Sequence, residues 1–163
     1  VAGYVRGEDG VLAKLGEYPE DLAPFEMDLL KPERTFAEKI LALHVDMLEG
    51  EEGASRVRIR HYADVAQLLN DSADVQASLR SGELMGLVRE AASVSNRYYG
   101  TSIDIERLDL RESPALAPTL GQIRLLKAKY DNPLEQALYY RGRRSFEEIL
   151  RQVATVREEL RRA

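Results

Sequence analysis

The densest group of polar side chains in the sequence is Arg56-Val57-Arg58-Ile59-Arg60-His61-Tyr62-Ala63-Asp64. On a helix, Arg60 and Asp64 stand at i and i+4 and can pair across one turn. Such a pair is either an ordinary surface salt bridge, contributing about 0.3–0.5 kcal/mol, or part of a phosphate-binding face in which Asp64 orients an arginine or holds a metal ion. Lys39 poses a similar choice. The spacing puts it near the start of a capped helix, where the dipole disfavours a cation. A lysine there is either a solvated stem or a group placed to reach a triphosphate beside the helix start. His44 and His61 are the only histidines, 17 residues apart. A metal site needs three or four ligands, so no metal site is assigned, and His44 reads as a polar residue at the edge of an apolar helix face.

Further on, Arg141, Arg143 and Arg144 follow Tyr139 and Tyr140. Arginines beside aromatics suit single-stranded nucleic acid through phosphate contacts and stacking, so these three are the candidate RNA contacts. Arg151, Arg157, Arg161 and Arg162 alternate with Glu147, Glu148, Glu158 and Glu159, and a solvated helix face with i, i+4 pairs accounts for them. The sequence has no Gly-x-x-x-x-Gly-Lys phosphate loop, no Gly-x-Gly-x-x-Gly, no Gly-x-Ser-x-Gly and no His-Glu-x-x-His.

These residues must be positioned by a chain of 163 residues, long enough for one domain with a core. Apolar residues at 44% and charged residues at 31% fit a folded globular chain rather than a disordered one. The absence of cysteine excludes a disulfide scaffold, thiolate metal ligands and a thiol nucleophile. No apolar run is long enough to span a membrane and no signal peptide opens the chain, so a cytoplasmic location is expected. The net charge of −5 conceals a polarity. Residues 1–55 hold five basic and 13 acidic side chains, whereas residues 56–163 hold 18 basic and 15 acidic, 16 of the cations being arginine. Arginine's planar fork suits phosphate.

Periodicity predicts a mainly α chain: a helical bundle with a small β element near its front. Residues 1–24 read as loop and turn, and Phe25-Glu26-Met27-Asp28-Leu29 alternates like a half-buried strand. A helix is expected from Thr35, capped by a Thr35–Glu38 box, with Phe36, Ile40, Leu43 and Met47 on its apolar stripe. The segment Gly50–Ser55 reads as a polar loop. Further helices are expected over about Ile59–Leu69, 82–99 and Thr119–Tyr130, and from Ser145 onward, where Ser145 and Glu148 form a capping box. Ile103-Asp104-Ile105-Glu106 is either a short strand or an extended linker. Asp131-Asn132-Pro133 is expected to restart a short helix.

The order of motifs resembles one family. Pro32-Glu33-Arg34-Thr35-Phe36-Ala37-Glu38-Lys39 is similar to the "PERTF-x-EK" motif of the AbiEii/AbiGii-type nucleotidyltransferase toxins, followed in that family by an apolar helix with a Leu-His, here Leu43-His44. Arg60-His61-Tyr62-Ala63-Asp64-Val65 resembles the family's "RH-aromatic-Y-D-L" motif, with Ala63 where a tyrosine is usual. Tyr130, Tyr140-Arg141-Gly142 and Ser145-Phe146-Glu147-Glu148-Ile149 are similar to its tail. The resemblance covers about residues 25–163. It implies the enzyme of a toxin–antitoxin or phage-defence system, with a polymerase-β-like nucleotidyltransferase domain followed by a helical C-terminal portion. Such proteins transfer nucleotides from an NTP to RNA, in characterised cases the tRNA 3′ end, with Mg²⁺. Lys39 and Asp64 would be the catalytic residues carried over, Lys39 contacting the triphosphate with Arg34 and Arg60 at neighbouring motif positions. Glu38 and His61 also match motif positions.

The family's catalytic domain carries a Gly-Ser followed by an Asp-x-Asp whose carboxylates hold the metal ions. This sequence has neither, and Asp104-Ile105-Glu106, the nearest approach, follows the second motif instead of preceding it. The chain also begins with Val1 rather than methionine. The expectation is therefore a seam at residues 1–34 to a missing N-terminal catalytic domain, a helical domain at 35–163, and no activity from the chain alone. NTP, tRNA and a cognate antitoxin are the implied partners, with neither membrane nor DNA among them. The alternative is a non-catalytic helical module that binds RNA or a protein partner, or a purely structural domain.

Overall fold

In the computed structural model, residues 30–134 and 144–162 are described. They form seven α-helices and no strand. The mainly α class therefore holds, while the expected strand at Phe25–Leu29 lies outside the described residues.

The first helix, α1 (Pro32–Met47), is the axis of the bundle. It starts one turn earlier than the sequence suggested. Pro32, whose ring presets a helical φ and whose missing N–H costs nothing at a helix start, opens it. The amides of Arg34 and Thr35 both donate to the Lys31 carbonyl at 3.0 Å. Thr35 thus sits inside the helix, and the expected Thr35–Glu38 capping box does not form. The apolar stripe is as expected: Phe36, Ile40, Leu43 and Met47 are all buried, each contributing about 1.5–3 kcal/mol of transfer free energy.

The stretch read as a polar loop is a short helix, α2 (Gly50–Arg56). Gly50, at φ +67°, takes the left-handed turn that reverses the chain after α1. Gly53 then lies so close to the Asp46 carbonyl that any side chain there would collide with it. Only Gly53 and Ala54 of this helix are buried, too little apolar content for a periodic signal.

Helix α3 (Arg60–Asp71) buries Tyr62, Val65 and Ala66, with Leu68 and Leu69 partly buried against the core. Ser72 ends it and caps the next helix, α4 (Ala73–Arg80), by accepting the Val75 amide. That helix was not foreseen, since Val75 and Leu79 are its only large buried residues. Helix α5 (Glu83–Tyr99) runs where periodicity placed it, between the left-handed glycines Gly82 and Gly100. After it, the side chain of Asn96 does the work of a neighbouring strand: its Nδ2 donates to the Ile103 carbonyl and its Oδ1 accepts the Ile103 amide, both at 2.9 Å. Residues 103–106 are accordingly not a strand: the linker bends at Ile105 and turns at Glu106.

A 3₁₀ turn (Leu110–Glu112) leads to α6 (Leu120–Tyr130), which is capped by a full Thr119–Gln122 box. Residues 133 and 134 are helical, and the remainder of the short helix expected there lies outside the described residues. The last helix, α7 (Phe146–Arg162), begins with the expected reciprocal bonds between Ser145 and Glu148. Phe146, Ile149, Val153, Val156 and Leu160 are its buried face.

Helix α1 packs chiefly against α5 and α3, α6 lies on α2, and α7 covers α3 and α4. Phe146 ties three helices together, edge-on to Tyr62 at 6.2 Å and tilted against Tyr130 at 5.4 Å. The Tyr62 hydroxyl donates to the Ala115 carbonyl, and burial pushes its pKa up, so it is a structural hydrogen-bond donor. No described helix is long and apolar enough to cross a membrane.

Candidate active site

Lys39 and Asp64 come from different helices and meet. The Lys39 Nζ lies 2.6 Å from the Asp64 Oδ2, across 25 residues of sequence. Lys39 is seven residues past Pro32, about 10 Å along the axis. The dipole at the helix start, unfavourable to a cation in the first turn, is too far away to matter. Its position is fixed instead by the stripe on which it rides: Phe36, Ile40 and Leu43 anchor α1, and Lys39 points along the seam with α3. On α3, buried Tyr62 and Val65 bracket Asp64 in the same way.

The pair is only partly withdrawn from water, with Lys39 23% and Asp64 39% exposed. Burial raises the Asp64 pKa, but His61 first and then the hydrogen bond and charge of Lys39 outweigh it, so the carboxyl is held below its ordinary value. His61, one turn back on α3, brings its Nδ1 to 3.9 Å from the same Asp64 oxygen. That is a close electrostatic neighbour but beyond hydrogen-bond length. The His61 Nδ1 is buried and without a hydrogen-bond partner. A third group completes the seam. Asp46, seven residues after Lys39 and so on the same face of α1, has its pKa raised by burial, against the opposing charges of His61, Arg56, Arg58 and Lys129.

Arg34 is held between Glu38 at 3.0 Å and Glu90 of α5 at 2.9 Å, with its side chain 15% exposed. Arg60 opens α3 and is exposed. The Arg56–Arg60 turn alternates exposed arginines with buried Val57 and Ile59. From α6, the Lys129 ammonium donates to the Ser55 and Val57 carbonyls, each at 2.6 Å, and fixes that turn.

His44 is buried, and its Nδ1 is 2.9 Å from the Ser113 hydroxyl. The Ser113 oxygen also accepts the Ala115 amide, so Ser113 links the imidazole to the loop after the 3₁₀ turn. Burial lowers the His44 pKa, with Asp109 partly opposing, so His44 is a neutral structural group, as its place on the helix implied. Arg144 donates to Gln152, and its carbonyl accepts the Tyr130 hydroxyl at 2.7 Å. Arg141 and Arg143 lie outside the described residues.

Glu90 and Lys129 were not anticipated, because nothing in their local sequence distinguishes them from a solvated helix face. Asp46 was legible in principle, from its two-turn spacing to Lys39. Among the described residues, no group of three or more His, Asp or Glu side chains converges where it could hold a metal ion. The seam can therefore do two things: present a cation to an anionic group, and hold a carboxylate beside it.

A family model described as "Nucleotidyl transferase AbiEii toxin, Type IV TA system" matches residues 8–152. The match takes in both motifs and begins ahead of residue 25, where the motif resemblance starts. No curated protein and no solved structure matches the chain.

Proposed function

This chain belongs to the AbiEii nucleotidyl transferase toxin family, and we propose that it is the helical portion of an enzyme that transfers nucleotides from an NTP to RNA, with the tRNA 3′ end as acceptor. The observation that carries this reading is the 2.6 Å contact of Lys39 with Asp64. It unites the two motif residues to which nucleotidyl transfer would assign work, and it does so at a partly open seam rather than inside the core.

In this reading Lys39 supplies a positive charge to the triphosphate, and Asp64 completes the site by holding that lysine in place until a phosphate competes for it. Arg60, at the mouth of α3, adds a second phosphate contact. Arg34, engaged by two carboxylates, contributes by locking α1 to α5. Arg141, Arg143 and Arg144 form the RNA contact. The reaction uses Mg²⁺, but the described residues offer no carboxylate set to hold it. Because the sequence has neither the family's Gly-Ser nor its Asp-x-Asp, the metal-holding carboxylates come, in this reading, from a catalytic domain joined at residues 1–34, and no activity is expected from the chain alone. Within a toxin–antitoxin family, a cognate antitoxin is the natural protein partner.

The test is nucleotide incorporation into tRNA by the complete protein, by this chain alone, and by the complete protein carrying Lys39→Ala or Asp64→Ala. Loss of at least a hundredfold in each variant, about 2.7 kcal/mol of transition-state stabilisation, is expected, with no turnover from the isolated chain. Wild-type rates in both variants remove the pair from the active site. RNA binding that survives both variants, without any turnover by the complete protein, favours the non-catalytic module.

A further inference from the structure

The His61 ring poses a question that the Lys39–Asp64 pair does not answer. A buried polar atom without a partner is uncommon and loses the hydrogen bond it would make to water. The His61 Nδ1 is such an atom, and it faces the very oxygen, Asp64 Oδ2, that Lys39 now occupies. Only about 1 Å separates the 3.9 Å approach from a normal hydrogen bond. A change of the Asp64 side-chain torsion supplies that displacement without moving the helix.

If Lys39 turns to a triphosphate, Asp64 is left charged and half-buried without its cation. A carboxylate stripped of its partner in such a place is costly. Something must replace the lysine, and α3 carries a replacement one turn away. We infer that His61 is a positioning residue that takes over Asp64 when Lys39 engages the triphosphate, so that the carboxylate passes from the ammonium to the His61 Nδ1–H. This rests on the reading of Lys39 as the triphosphate contact. Two carboxylates lie beside His61: Asp64 on its own helix and Asp46 from α1. The partner exchange keeps Asp64 ionised and fixed throughout, and it lets Lys39 leave without stranding a charge.

The exchange has a signature that needs no turnover. With two histidines in the chain, both imidazoles can be assigned in ¹⁵N-labelled protein, using His44→Asn to separate them. In Lys39→Met, where Asp64 has lost its lysine, a slowly exchanging, hydrogen-bonded Nδ1–H proton of His61 should appear without nucleotide. The same resonance should appear in the wild-type protein on saturation with ATP, CTP, GTP or UTP, whichever binds. Its absence from Lys39→Met overturns the hand-over, whatever the nucleotides do. Failure of all four to bind the wild-type complete protein overturns the proposed function instead.

Affinity gives a second measure. His61→Ala should weaken triphosphate binding about tenfold, or 1.4 kcal/mol, because Asp64 then holds Lys39 back. His61→Asn should stay within about threefold of wild type, since its amide N–H takes the place of the Nδ1–H. Thermal unfolding shows that each variant folds. Equal affinities for wild type, His61→Ala and His61→Asn overturn the positioning role.

Discussion

Lys39 on α1 and Asp64 on α3 close a 2.6 Å ion pair across the seam between the two helices, both partly open to solvent. In that setting each single truncation should cost more than the pair is worth, since the survivor keeps a half-desolvated charge. Lys39→Ala and Asp64→Ala are each expected to lower stability by about 1 kcal/mol, with a coupling energy of about 0.5–1 kcal/mol in the double-mutant cycle. Urea unfolding of the four proteins measures it. A coupling of zero shows that the two side chains do not interact in solution.

Acid should destabilise the fold in two separate windows. Burial keeps His44 neutral and lowers its pKa below the ordinary 6.5. The unfolded chain therefore takes up a proton that the folded one refuses, and stability is lost as pH falls below about 6.5. Asp64 acts lower down. Its folded pKa lies below the ordinary 3.8, so its contribution is complete above that value and disappears as pH falls through the folded pKa. His44→Asn, whose amide can still hydrogen-bond the Ser113 hydroxyl, should flatten the Tm profile between pH 7 and 5 and leave the lower window unchanged. An unaltered slope between pH 7 and 5 would rule out His44 as its source.

Two glycines in helices should respond to alanine in opposite directions. Gly53 faces the Asp46 carbonyl where a Cβ cannot fit, so Gly53→Ala must displace α2 from the end of α1; a loss of about 1–3 kcal/mol is expected. Gly86 sits exposed within α5 with open space around it. Gly86→Ala should gain about 0.5–1 kcal/mol by improving helix propensity. Thermal unfolding of both variants decides. A Gly53→Ala protein as stable as wild type would mean that α2 does not pack as closely as described.

The difference between these glycines shows what the sequence can and cannot announce. Long amphipathic stretches were legible: the stripes of α1, α5 and α7 each carry several large apolar residues at helical spacing, and most of those residues are buried in each, although α1 starts one turn early. The Ser145–Glu148 box was legible because both halves are local. What escaped was short or non-local. Helix α2 holds one buried alanine and a glycine, and it exists because Gly53 fits a carbonyl on another helix. The start of α1 was misplaced because Pro32 and the Thr35–Glu38 pair both signal a helix start, and proline's fixed φ prevailed. At the candidate site, the motif residues Lys39 and Asp64 could be named one by one. Their meeting depends on how α1 packs on α3, and the Arg34–Glu90 pair on how α1 packs on α5, neither of which any local pattern encodes.

That second pair bears on stability more than its surface neighbours do. The Arg34 guanidinium is largely shielded and bonded to Glu38 and Glu90, whereas Glu90 is 65% exposed. The two partners should therefore respond unequally. Arg34→Met removes a shielded cation with two partners, and a loss of about 1–2 kcal/mol is expected. Glu90→Gln removes one exposed charge and should cost no more than about 0.5 kcal/mol. Equal effects in denaturant unfolding would show that Glu90, not Glu38, holds the arginine.

The arginine triplet before α7 gives the last expectation, and it separates RNA binding from catalysis. Arg144 is tied at its backbone to Tyr130 and at its side chain to Gln152, so its truncation should loosen the entry to α7 as well as remove a charge. Arg141 and Arg143 are the cleaner probes. If each meets a phosphate, replacing either with alanine should weaken RNA binding uniformly across sequences and reduce the slope of log affinity against log salt by about 0.7–1. Triphosphate affinity at the Lys39–Asp64 seam should stay unchanged. Titrations of single-stranded RNA at several salt concentrations test this on the complete protein. An unchanged slope in the Arg141→Ala, Arg143→Ala double variant would exclude this segment as the RNA contact. A parallel fall in triphosphate affinity would show that the two surfaces are one site.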